Sequence, residues 1–202
     1  MRVSSLDAVV LITSILIRQT ALAQENGSLF PRDAKKVQDS EVFAIWDGTW
    51  QKGQSTGMQK LELDQVSVTL TDGAVKVTRP DGTWTIEHER FGSVRFEPKG
   101  TVVAKELVSD TPSRVVVFQL KEVKPTPWER KEGIPGHFPR VNTVKLFETD
   151  RFAVWDQTWK QGDRITRHVH VDRVAAVFLD GGSIRSISGE GVAGKPFSRK
   201  LG

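Results

Sequence analysis

Beyond its first two dozen residues the chain alternates apolar and polar positions in short runs. Leu61 to Thr71 carries Leu61 and Leu63, then Val66, Val68 and Leu70, the period of two of a strand with one buried face. Asp72-Gly73 predicts a tight turn, after which Val75 and Val77 resume the alternation. Pro80-Asp81-Gly82 predicts another turn, followed by Trp84 and Ile86. Further strands are expected over Ser93 to Phe96, Thr101 to Leu107 and Arg114 to Leu120, the last centred on Val115-Val116-Val117-Phe118. No stretch after the leader keeps an apolar period of 3.6, so short strands joined by turns predict an all-β sandwich or barrel.

The pattern also repeats. Phe43-Ala-Ile-Trp46-Asp47-Gly-Thr49-Trp50-Gln-Lys-Gly53 recurs as Phe152-Ala-Val-Trp155-Asp156-Gln-Thr158-Trp159-Lys-Gln-Gly162, an offset of 109 residues. Leu29-Phe30-Pro31-Arg32 recurs as His137-Phe138-Pro139-Arg140, and Leu70-Thr-Asp72-Gly73 as Phe178-Leu-Asp180-Gly181, both at an offset of 108. The chain therefore reads as a tandem duplication. A first unit spans 28–123, a proline-rich linker 124–136 and a second unit 137–202. At that offset Val123 maps about thirty residues past position 202, so the second unit is expected to lack its last strands.

Residues 1–23 have the pattern of a secretory signal peptide: Arg2, an apolar run from Ala8 to Ile17, and Ala21-Leu22-Ala23 ahead of a cleavage point before Gln24. Ten apolar residues are too few to cross about 30 Å of hydrocarbon, and no longer apolar run follows. The chain has no cysteine. An exported protein without disulfides is expected in a bacterial periplasm or secreted from a bacterium. Its net charge of +4 is spread over interspersed residues of both signs, which argues against nucleic acid as a partner.

His168 and His170, in the run Gly162-Asp-Arg-Ile-Thr-Arg-His168-Val-His170, would share one face of an extended strand and could offer two imidazoles to a metal ion. A pair of solvent-facing histidines is the alternative. This spacing resembles the first motif of the cupin superfamily, two histidines followed by a glutamate and a glycine. Gly181-Gly182 stands at the glycine, and Val174 or Ala175 at the glutamate. The second cupin motif resembles Gly92-Ser-Val-Arg-Phe-Glu-Pro98-Lys-Gly100-Thr-Val-Val103, with Val103 at the histidine. In the same unit Gln59 and Leu61 follow Gly53 at the two histidine positions of the first motif. The resemblance implies tandem cupin-type jelly rolls, the first without metal ligands and the second truncated.

Two functions follow as expectations. One is an exported, non-catalytic cupin-like barrel binding a small molecule or a protein. The other is a metal-dependent enzyme of the dioxygenase or isomerase type, with His168 and His170 holding iron, manganese, nickel or zinc. Trp46, Trp50, Trp155 and Trp159 are candidates for a ligand pocket, although their recurrence also suits a structural role. His88 and His137 are expected at the surface, and Glu87, Glu89 and Glu97 on a solvated face. An incomplete second unit would expose strand edges, which homodimerisation could complete.

Overall fold

The computed structural model describes residues 27–123, 133–168, 173–188 and 190–202. The expected leader, most of the expected linker and His170 lie outside them. Every regular element among the described residues is a strand. In chain order these are β1 (Lys35–Asp39), β2 (Phe43–Trp50), β3 (Gln59–Lys60), β4 (Asp64–Thr69), β5 (Gly73–Thr78), β6 (Trp84–Glu89) and β7 (Val94–Glu97). There follow β8 (Val102–Leu107), β9 (Ser113–Leu120), β10 (Thr143–Glu148), β11 (Ala153–Gln157), β12 (Gly182–Ile184) and β13 (Phe197–Arg199).

Strands β2 to β9 form two antiparallel sheets, β2-β9-β4-β7 and β3-β8-β5-β6, with β1 added beside β2. Successive strands switch between the two sheets in the order of an eight-stranded jelly roll. The apolar core lies between them. β2 turns Ala44, Trp46 and Trp50 inward, β9 adds Val115 and Val117, and the smaller sheet adds Val75, Val77 and Leu107. Phe30 joins this cluster from the segment ahead of β1 and stacks on Trp46 at 4.8 Å. That segment passes so close to β2 that a Cβ on Gly48 would sit 2.7 Å from the Ala34 methyl. Only glycine gives it room.

Of the expected strand from Leu61 to Thr71 only Asp64 to Thr69 is strand, as β4, and residues 61–63 form the crossover that joins it to β3 in the other sheet. Leu61 N–H donates to the Thr101 carbonyl, and its own carbonyl accepts from Gly100 N–H. The alternation slips in phase between Leu63 and Val66, and that slip marks the crossover. The turn at Pro80-Asp81-Gly82 forms as expected: Gly82 has φ of 83°, and Asp81 Oδ1 accepts from both the N–H and the hydroxyl of Thr83.

In the second unit the first hairpin repeats in detail. β10 pairs with β11 as β1 does with β2, and both ladders slip at matching places, Lys36/Gln38 and Lys145/Phe147. Phe138 stacks on Trp155 as Phe30 does on Trp46, and Lys145 lies over Trp155 as Lys36 lies over Trp46. The likeness continues through the next turn, where Gln54 and Asp163 N–H donate to the Gln51 and Lys160 carbonyls and Gly53 and Gly162 both have positive φ. The described residues of 137–202 form two separate two-stranded sheets rather than a second jelly roll. On β2 the outer edge is taken by β9, whereas no strand among the described residues pairs with that edge of β11.

The second unit packs instead on the outer face of the first. Phe147 and Phe152 meet Phe96, and Val177 and Leu179 pack against Val68, Leu70 and Val116. Arg151 donates to Asp64 at 2.5 Å and to the Lys121 carbonyl at 2.9 Å.

Candidate functional site in the first jelly roll

In β4 and β7 the usual arrangement is inverted. Val66, Val68, Val94 and Phe96 face away from the opposing sheet, where second-unit residues cover Val68, Val94 and Phe96. Their alternates Gln65, Ser67, Thr69, Arg95 and Glu97 therefore point between the sheets. Register aligns them in rows: Glu97, Gln65 and Gln119 across one, Arg95, Ser67 and Val117 across the next. The space between the two sheets is thus apolar on one side and polar toward β6 and β7.

Opposing strands supply the partners. Lys105 of β8 donates to Glu97, and both are at least 91% buried, Lys105 being 6% and Glu97 9% exposed. Arg95 pairs with Glu87 and lies 3.6 Å from Glu89, which also accepts from the Thr69 hydroxyl at 3.3 Å. The expectation of a solvated face for Glu87, Glu89 and Glu97 is overturned: all three line the interior. They alternate with Trp84, Ile86, Val94 and Phe96 on edge strands, and that alternation does not say which side faces the other sheet. A cleft of about 140 Å³, lined by Thr69, His88, Glu89, Ser93, Val94 and Arg95, leads to this charged end. His88 is exposed at its rim.

The positions that the resemblance gives to metal ligands do other work here. Gln59 and Val103 face each other in the β3–β8 register, and Leu61 is 1% exposed. Gln59 Oε1 accepts from Gly27 N–H at 3.3 Å, and Gln65 accepts from Leu29 N–H at 3.3 Å while donating to the Gly27 carbonyl at 3.4 Å. Residues Gly27 to Pro31 are thereby strapped to the barrel, and all five are buried. Amides and alkyl chains in these places do not suit a tightly held transition metal.

The four tryptophans separate. Trp46 and Trp50 belong to the core, and Trp46 Nε1 donates to Gln119 at 2.6 Å. Trp155 is half-buried under Phe138. Trp159 alone of the four is exposed, 6.2 Å from Phe178.

His168 Nδ1 donates to the Thr166 carbonyl, 2.8 Å away, and its ring lies 4.8 Å from that of His137. His137, expected at the surface, is half-buried between Phe138, Arg140 and His168. Its distance of 31 residues from His168 hid the contact. Val174 and Ala175 are exposed. Among the described residues no group of three histidine, aspartate or glutamate side chains is placed to hold a metal.

No protein-family model matches the chain, and no curated protein does. Among solved structures it is similar to a cupin domain from Bordetella pertussis Tohama I, at 22% identity and a TM-score of 0.41 over 44% of this chain and 92% of that one. A cupin superfamily protein from Desulfitobacterium hafniense is similar at 15% identity and a TM-score of 0.37, over 44% of this chain and 76% of that one. An ethanolamine utilization protein Q from Salmonella typhimurium, described as putative in its own naming, is similar at 22% identity and a TM-score of 0.32, over 40% and 58%.

Proposed function

We propose that the chain is an exported, cupin-like binding protein that performs no catalysis, and that its first jelly roll takes a small polar ligand at the charged end of its interior. The observation that carries this reading is the inward-facing set of Arg95, Lys105, Glu87, Glu89 and Glu97, grouped near a cleft and backed by an apolar core. Three carboxylates against two cations leave one negative charge, which favours a ligand bearing an amine beside hydroxyl or carboxylate groups. Absence of a metal-holding set at Gln59, Leu61 and Val103 fits binding better than redox or isomerase chemistry.

Calorimetric titration with small amino acids, amines and amino sugars tests the reading. The expected result is saturable binding that Arg95→Ala and Glu89→Gln each weaken at least about tenfold, or about 1.4 kcal/mol. Binding that ignores both substitutions, or no binding by any compound of the panel, overturns it.

The contact between His137 and His168 supports a second reading, a metal-dependent cupin enzyme using His168 and His170. Metal content of the chain purified without chelator, beside a His168→Ala/His170→Ala control, separates the two. Near one equivalent of iron, manganese, nickel or zinc, lost in the control, favours the enzyme. The edge of β11 with which no strand among the described residues pairs supports homodimerisation, which sedimentation at micromolar concentration tests.

A further inference from the structure

Among the described residues Arg140 is a cation without a counter-charge. Its Nε and Nη1 are shielded from solvent and have no hydrogen-bond acceptor. No carboxylate among the described residues forms an ion pair with it. Nη2 lies 2.6 Å from His137 Nε2 and 3.2 Å from Nδ1. The guanidinium stands 4.9 Å over Phe138, whose ring stacks in turn on Trp155 at 4.9 Å. His168 closes another side, its ring 4.8 Å from His137. Burial pushes the guanidinium's pKa down.

Arg114 shows how this chain otherwise treats a half-buried guanidinium. It is paired with both oxygens of Asp47, at 2.9 and 2.7 Å, and that partner raises its pKa. Arg32, the counterpart of Arg140 in the first unit, is exposed. Arg140 therefore bears a desolvation cost that Asp47 offsets at Arg114 and that the exposed Arg32 escapes.

We propose that Arg140, with His137 and His168 beside it, forms an oxyanion-binding site in the second unit, taking a phosphate or carboxylate group. Guanidinium and imidazole N–H groups are donors, and both favour a negative acceptor. The fixed positive charge of Arg140 repels a divalent metal ion at the same spot. The rigid Phe138–Trp155 stack holds the guanidinium in place from below. This site is independent of the ligand proposed for the first jelly roll.

The test uses the full chain and follows the imidazole proton resonances while inorganic phosphate, and separately acetate, replaces chloride at constant ionic strength. With four histidines in the sequence, single His→Gln variants assign each signal. The expected result is saturable movement of the His137 and His168 signals, with a dissociation constant of about 1 mM, and no movement of His88. Arg140→Gln weakens binding at least about tenfold, Arg140→Lys weakens it less, and Arg32→Gln leaves it unchanged. Unchanged tryptophan emission certifies that a variant keeps the Trp155 stack. A stronger response to acetate than to phosphate assigns the site to carboxylates, and the reverse to phosphates. Linear, unsaturable shifts shared with Arg140→Gln overturn the proposal. So does zinc binding that survives Arg140→Gln and is lost in His168→Ala, which would make the cluster a metal site.

Discussion

The ion pair between Lys105 and Glu97 gives the sharpest test of whether the interior is charged and dry. Both side chains are buried, so removing either partner strands the other's charge between the sheets. Breaking a buried pair costs about 3–5 kcal/mol, because the survivor loses its partner without regaining water. Lys105→Met and Glu97→Leu should each fall in that range, a large share of the roughly 5–15 kcal/mol that holds a domain together. The double variant should recover most of the loss, since methionine and leucine leave no charge to solvate. The pair thus predicts strong non-additivity, with a coupling energy of roughly 3 kcal/mol or more.

Urea unfolding followed by tryptophan emission reads this directly, because Trp46 and Trp50 lie in the same core. With a slope of about 2 kcal/mol per molar urea, each single variant should lower the midpoint by about 1.5–2.5 M. Single losses below about 1 kcal/mol that add in the double variant would refute the reasoning. That outcome would mean the pair is bathed in water, and the inward-facing carboxylates are a solvent-filled groove rather than a built site.

Other expectations follow from particular contacts. Ser28 is a fully buried residue of the strap, and the chain has no cysteine. Ser28→Cys should therefore react with a thiol reagent at least about a hundredfold more slowly than Thr111→Cys on the surface, with Gln65→Leu narrowing the gap. Gly48→Ala should destabilise the chain by about 1–3 kcal/mol, because the new methyl meets Ala34 and Pro31; thermal denaturation checks it. The hydroxyl and amide of Thr83 hold the Asp81 carboxyl below its ordinary 3.8. A carboxylate so depressed stabilises the fold above that value and loses the contribution as pH falls through its folded pKa. The small stability difference between wild type and Asp81→Asn should accordingly be constant near neutral pH and shrink only below about pH 4.

Local patterns were legible where a strand's neighbours lie close in sequence or where a unit repeats itself. β9 forms over the apolar run expected from Arg114 to Leu120, the Asp81-Gly82 turn follows its residues, and the two matched hairpins carry the repeated Phe43–Gly53 and Phe152–Gly162 runs. The direction in which β4 and β7 face was not legible. A period of two says that Val66 and Val68 share a side, but which side meets the opposing sheet depends on residues such as Phe147 and Leu179, about eighty or more positions later. The acidic residues of β6 and β7 were read as surface for the same reason. Gln59 and Leu61 could be placed by motif, yet their grip on Gly27 and packing at the crossover depend on the strap. His137 and His168 are 31 residues apart and meet through folding of the second unit alone, so spacing gave no sign of them.

Duplication usually suggests two containers, but the hairpin copied at β10 and β11 serves this molecule as upholstery. Phe147, Phe152, Val177 and Leu179 clothe strands whose oily side would otherwise lie bare. The copy has been spared from closing a barrel of its own, and the original has been freed to turn its polar side inward. Cutting the chain at the linker should therefore leave a first half whose bared Val68, Val94 and Phe96 drive it to self-associate, which sedimentation checks.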